Sequence, residues 1–292
     1  MNTDSLFFDW YEATLEADPN SVIGQLCDDL DVEMLLQSKG MHGYDHCARL
    51  GSSQDGERTC DVLWYADPAK ALQVHVISSG ANASRIADLL RCHWPQHKVS
   101  RVDVSFDLVQ PRAYERIAPH MLAVARLHGL KSAPCVEDKL DAEAGRSQYA
   151  GSPRSVRQVI GYEKGKQLRT QGVADADPDW FRVELTTRPQ SKHKARYATL
   201  SPADIAAESP VMLELCTAFG PAAGKRQPYS TGHTNSTVES VGAMLKQYGR
   251  VLREFIGNHC GGDVHHFGVI LASVASTGGG SAELLSLLEG SH

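Results

Sequence analysis

The chain has 292 residues, seven cysteines and a formal net charge of −6. Its hydrophobic content of 42% is enough for one large domain or two modest ones with real cores. No apolar run reaches the ~18 residues of a membrane helix, and the opening residues lack the basic start and clean apolar stretch of a secretory signal. The cysteines are odd in number and scattered without a CxxC pair. That pattern excludes a disulfide framework, argues against zinc and is expected of a reduced, cytoplasmic protein.

Charge is unevenly distributed. Residues 145–200 hold 11 Lys/Arg against 5 Asp/Glu, a local +6, and the remainder holds 18 basic against 30 acidic residues, a net of −12. Such a distribution excludes a chain-wide polycation but permits a localised phosphate-binding face. A solvated surface with no partner is the alternative.

In chain order, Phe7–Leu15 is aromatic and β-prone and closes at Asp18-Pro19-Asn20, predicting a strand. Ser21–Gln37 predicts a helix with Ile23, Leu26, Leu30 and Met34 on one face. The glycine-rich stretch 40–66 predicts hairpin strands, Gln73–Ile77 a further strand, and Ala83–Trp94 a helix stopped by Pro95. Val99–Val109 is the most regular strand. Residues 111–128 predict a helix that Pro119 must kink or split, followed by a polar stretch at 131–146. Strand-like pieces near 147–151 and 156–164, a loop at 169–179 and a strand at Trp180–Thr187 follow. Ser201 reads as an N-cap with Pro202 in the first turn. Residues 221–235 have linker composition, and Ser236–Glu239 matches a capping box opening a helix to about Ile256. The glycine- and serine-rich tail is expected to be poorly ordered near 276–282, with His265-His266 in an ordinary loop. Without GxGxxG or a P-loop, this order predicts an α+β fold. A central antiparallel sheet would carry the active site with helices packed on one face. A catalytic domain at 1–220 would be joined by the 221–235 linker to a smaller helical part at 236–292.

Period-two geometry places Arg101, Asp103, Ser105 and Asp107 on one face of their strand, with Val102, Val104, Phe106 and Leu108 on the other. Arg182, Glu184 and Thr186 repeat the design opposite Phe181, Val183 and Leu185. As sheet neighbours, Asp103, Asp107 and Glu184 would converge as hard oxygen ligands for Mg²⁺ or Mn²⁺. Cross-strand Arg–carboxylate pairing on an exposed sheet is the competing reading. Between the two strands lie Tyr149 and Tyr162 amid Arg154, Arg157, Lys164 and Lys166. A tyrosine among cations beside a divalent metal is what phosphodiester transesterification requires. Half-buried strand tyrosines would give the same pattern.

Four segments in order resemble the replication initiation factor family: Ser-Arg-Val-Asp-x-x-x-Asp (100–107), Tyr-x-Gly-Ser (149–152), Tyr-Glu-Lys-Gly (162–165) and Arg-Val-Glu-Leu (182–185). That family comprises rolling-circle initiators of filamentous phages and plasmids and relaxases of some integrative elements. Similarity is greatest to its phage branch, including Trp-Tyr-x-Ala-Thr (10–14), and runs from about Trp10 to about Tyr248. The resemblance implies a metal-dependent enzyme that nicks the origin strand, forms a 5′-phosphotyrosine and rejoins the strand. It makes Tyr162 the nucleophile, with Tyr149 and Lys164 in support. Asp103 and Glu184, with Asp107 as a third, would hold Mg²⁺ or Mn²⁺. Arg101, Arg182, Arg154, Arg157 and Lys166 would contact DNA, and base readout would sit around Ser236–Ile256. The implied partner is origin DNA, with a host helicase and a second copy of the chain as protein candidates. Ile160 departs from the family, whose members often carry arginine two residues before the tyrosine. A non-catalytic DNA-binding regulator on the same fold is the alternative.

Overall fold

The computed structural model describes residues 5–54, 56–136, 145–224 and 249–277. Its strands are β1 Phe7–Glu16, β2 Glu33–Lys39, β3 His46–Gly51, β4 Arg58–Trp64, β5 Gln73–Ser79, β6 Lys98–Val109, β7 Ser132–Val136, β8 Arg146–Ala150, β9 Arg157–Tyr162 and β10 Trp180–Thr187. Helices are α1 Pro19–Leu30, α2 Asn82–His93, α3 Ala113–Leu127, α4 Lys164–Thr170, α5 Lys194–Tyr197, α6 Pro202–Ala207 and α7 Pro210–Phe219. Among the described residues the strands form one sheet in the order β2-β3-β4-β5-β1-β6-β10-β9-β8-β7, with every pairing antiparallel. The α+β architecture expected from the sequence is the one observed.

Alternation along the central strands sorts the two faces. Tyr11, Val102, Val104, Phe106, Phe181, Val183 and Leu185 enter one core with Leu26 of α1, Ile86 and Leu90 of α2, Met121 of α3 and Leu215 of α7. Each such side chain stabilises the fold by about 1.5–3 kcal/mol when fully buried. The opposite face carries the polar set of β1, β6 and β10. On that face Cys47, Leu63 and Ile77 form a smaller cluster against Trp10 and Tyr44.

One break in the alternation matters for the site. Phe8 pairs with Val104 while Trp10 pairs with Asp103, so Asp9 is an extra residue in β1 against β6. Such a bulge re-aims side chains locally. Here Asp9 and Trp10, although consecutive, both border the polar face.

Several elements differ from the sequence expectation. The helix starting near Ser21 ends at Leu30, because Asp31 adopts left-handed φ 54 and caps it by donating its N–H to the Cys27 carbonyl. Aspartate tolerates that conformation better than most residues. The chain then returns as the edge strand β2, where Met34 is exposed rather than on a helix face. Helix α3 runs through Pro119 without splitting. The polar stretch after it contains β7. Residues expected to extend β9 and then loop form α4 instead. Ser201 caps α6 in a reciprocal capping box with Asp204.

The chain divides into two compact units, Met1–Tyr229 and Ser230–His292. In the second, residues 249–259 are helical and a helix spans Val264–Thr277. His265 and His266 lie in its first turn, not in a loop, and their backbone N–H groups donate to Asp263 Oδ1. Ser236–Glu239, most of the linker and residues 278–282 fall outside the described residues. No helix among the described residues is long and apolar enough to cross a membrane.

Candidate active site

Antiparallel pairing gathers the polar residues at one end of the sheet. Arg182 of β10 lies opposite Asp107 of β6 on one side and Tyr162 of β9 on the other. Glu184 lies opposite Ser105 and Ile160, and Ile160 lies opposite Tyr149. Asp103, Asp107, Arg101, Arg182, Glu184 and Lys164 line one groove of 770 Å³. A second depression of 240 Å³ holds Tyr149, Tyr162 and again Glu184. Glu184 thus borders both.

The phenol of Tyr162 donates to Glu184 Oε2 at 3.4 Å. Burial, followed by the negative charge of Glu184, raises the phenol above its ordinary pKa, and Arg182 works in the opposite direction. Lys164, at the start of α4, sits 5.7 Å from the Tyr162 ring centroid. Burial and then Arg182 lower its pKa. Burial pushes Glu184 up to about 7, with Asp103 and then Asp9 adding repulsion. Burial also raises Asp103, against the opposing pull of Arg101.

Two arginines hold the carboxylates in place. Arg101 donates Nε to Asp103 Oδ1 at 3.1 Å and Nη2 to Asp103 Oδ2 at 2.5 Å, and stacks over Trp10 at 4.6 Å. Arg182 grips both oxygens of Asp107, at 2.7 and 2.8 Å, and donates Nη1 to Asp9 Oδ1 at 2.8 Å. The cross-strand Arg–carboxylate pairing weighed from the sequence is therefore present, and it forms the floor of the groove. Arg182, expected at DNA, is buried between two acids. Planar bidentate pairing of this kind fixes geometry as well as charge.

The metal expectation meets a mixed donor set. Asp103 and Glu184 repel each other, and the buried Ser105 hydroxyl across from Glu184 has no hydrogen-bond partner. Two crowded carboxylates and an orphaned oxygen fit a hard cation, which usually keeps several waters or phosphate oxygens as further ligands. Arg182 engages both oxygens of Asp107, as Arg101 does those of Asp103, and each carboxylate keeps further lone pairs for a cation. The further carboxylate acting on Glu184 is Asp9. Among the described residues no ready-made cluster of three metal-ligating side chains is present.

Other expected residues lie elsewhere. Arg157 points to the helix-covered side, where it donates to Tyr197 Oη at 2.8 Å and Glu208 Oε2 at 2.5 Å. Its place on β9 explains this, since Arg157 and Tyr162 are five residues apart and face opposite ways. Arg154 is exposed in the β8–β9 turn, beyond the start of β9, which is itself about 16 Å along the strand from Tyr162. The pair does not flank the tyrosine. Lys166 faces Glu163 Oε1 at 3.4 Å. Glu163 itself is a buried anchor, holding the Arg146 guanidinium at 2.7 and 2.8 Å and the Arg146 N–H at 2.9 Å. Sequence reasoning missed Asp9 and Arg146. The Asp9 bulge leaves no mark in the alternation of β1 read alone, whereas Arg146 belonged visibly to the basic segment.

The chain is similar in structure to the rolling circle replication initiator protein from Geobacillus stearothermophilus, with a TM-score of 0.50 and 19% sequence identity. The match covers 80% of this chain and 91% of that one. The fold is thus a rolling-circle replication initiator fold. No protein-family model matches the chain, and no curated protein sequence matches it.

Proposed function

We propose that this chain initiates rolling-circle replication by nicking one strand of origin DNA with Tyr162. The observation that carries this reading is the Tyr162 phenol on Glu184, beside Asp103 and Lys164, at one end of a sheet with the initiator fold. The phenolic oxygen attacks the scissile phosphorus, the bond from phosphorus to the 3′-oxygen breaks, and the DNA 5′ end remains on the tyrosine. Glu184 Oε2, which accepts the phenolic hydrogen bond, takes the phenolic proton, and the departing 3′-oxygen picks up a proton from water. Lys164 stands to neutralise charge on the phosphate. The free 3′-OH primes synthesis, and the reverse transfer reseals the strand without ATP.

Asp103 and Glu184 would hold Mg²⁺ or Mn²⁺. Bound there, the ion would supply charge stabilisation at a non-bridging phosphate oxygen. Asp9 and Asp107 keep Arg182 fixed beneath the site, and Tyr149 supports it from the neighbouring strand. The test is incubation with origin-bearing single-stranded DNA and Mn²⁺, read as a protein–DNA adduct that survives denaturation. Wild type is expected to form it, and Tyr162→Phe is expected to bind DNA without forming it. Adduct from Tyr162→Phe but none from Tyr149→Phe would move the nucleophile to Tyr149.

A further inference from the structure

The groove beside Tyr162 has aromatic walls that the nicking chemistry does not use. Phe7 and Trp10 line it from β1, Trp180 from the start of β10 and Leu168 from α4. All four are half-buried, so each keeps surface exposed. Its floor is formed by guanidinium planes already stacked on these rings. Arg101 lies 4.6 Å from the Trp10 centroid, and Arg182 lies 5.1 Å from Phe7 and 5.5 Å from Trp180. A volume of 770 Å³ suits a single small ligand and not a double helix. Alternating aromatic faces and cations along a groove are how proteins hold single-stranded nucleic acid, because every base presents a π-face.

We propose that this groove seats one unpaired nucleobase of the strand being cut, stacked against Trp10 and Trp180, next to the phosphate presented to Tyr162. The inference rests on the nicking reading and adds to it the residues that hold the unpaired base. The scissile phosphate lies at the Lys164 and Glu184 side of the groove, and the base points toward Trp10 and Trp180.

Binding separates this idea from the chemistry. In full-length Tyr162→Phe protein, which cannot form adduct, oligothymidylate of twelve nucleotides is titrated against an abasic chain of the same length at fixed salt. Oligothymidylate is expected to bind about tenfold more tightly, with quenching of tryptophan fluorescence. Trp10→Leu and Trp180→Leu are expected each to erode that preference while leaving affinity for the abasic chain unchanged. Equal affinity for the two probes in the Tyr162→Phe protein would overturn the proposal whether or not the tryptophan variants fold. A preference that survives both substitutions would overturn it as well. Absence of adduct from the wild-type protein, with base preference intact in Tyr162→Phe, would instead sink the nicking reading and leave the slot standing.

Discussion

Tyr162 and Glu184 define the residue scale, where burial and then the Glu184 charge raise the phenol above its ordinary pKa. Glu184 has its pKa raised from 4.5 to about 7, so its burial favours the protonated form. Its stabilising share is complete below about pH 4.5 and is lost as pH rises through about 7. Metal-free protein should therefore melt at lower temperature at pH 8 than at pH 5, and Glu184→Gln should flatten that trend in a thermal scan. Asp103 is shifted in the same direction and adds to the effect. A divalent ion between the two acids reverses the balance. Mn²⁺ should raise the melting temperature of wild type more at pH 8 than at pH 5, and should do neither in Asp103→Asn. In cleavage assays Asp103→Asn and Glu184→Gln should each lose roughly two orders of magnitude or more. Full cleavage by wild type in excess EDTA would remove the metal from the reading.

The segment Tyr162-Glu163-Lys164-Gly165 shows what an element contributes. Tyr162 and Lys164 face the site, Glu163 ties the strand end to Arg146, and Gly165 lets α4 approach the loop that follows it. A Cβ at Gly165 would stand 1.7 Å from the Asp177 carbonyl oxygen, and backbone cannot yield as a side chain can. Gly165→Ala should displace α4 and Lys164 with it, lowering kcat more than DNA affinity, as single-turnover cleavage and binding would reveal. Beneath the tyrosine, a Cβ at Gly161 would meet Met121 Sδ at 2.8 Å. At this scale the sequence was readable where period-two alternation is strict, as in β6 and β10. It was misleading where one residue ends an element. Asp31 turns an apparently long helix into helix and edge strand, and no periodicity count detects a single left-handed residue. The strand after Gly151 was legible, but its apolar–polar pattern is too weak to tell that Arg157 faces the helices.

For the whole molecule, the decisive fact is which end of each strand carries the chemistry. The starts of β1, β8 and β10 and the ends of β5, β6 and β9 meet at the site, whereas the β8–β9 turn with Arg154 lies at the opposite end. Local basicity of residues 145–200 was correct as arithmetic and incomplete as geography, because sheet pairing, not chain proximity, sets the neighbours. That β6 and β10 are partners could only be posed as a condition from the sequence. Two arginines close in sequence should accordingly behave differently. Arg157→Ala leaves Glu208, buried at 2% side-chain exposure, without one of its partners. It should cost about 3 kcal/mol in chemical denaturation and leave the salt dependence of DNA binding unchanged. Arg154→Ala should leave stability unchanged. With DNA long enough to reach the turn, it should reduce the slope of log K against log salt by about 0.7 to 0.9. An unchanged slope would confine the phosphate track to the site end.

The bulge in β1 sets how firmly one guanidinium is held. Removing Asp9 would leave Phe8, Trp10, Tyr11 and Glu12 alternating between the two faces of the sheet. A chain lacking Asp9 would leave Arg182 with one acidic partner, Asp107, instead of two. The extra residue trades regularity of the scaffold for a fixed guanidinium at its working end.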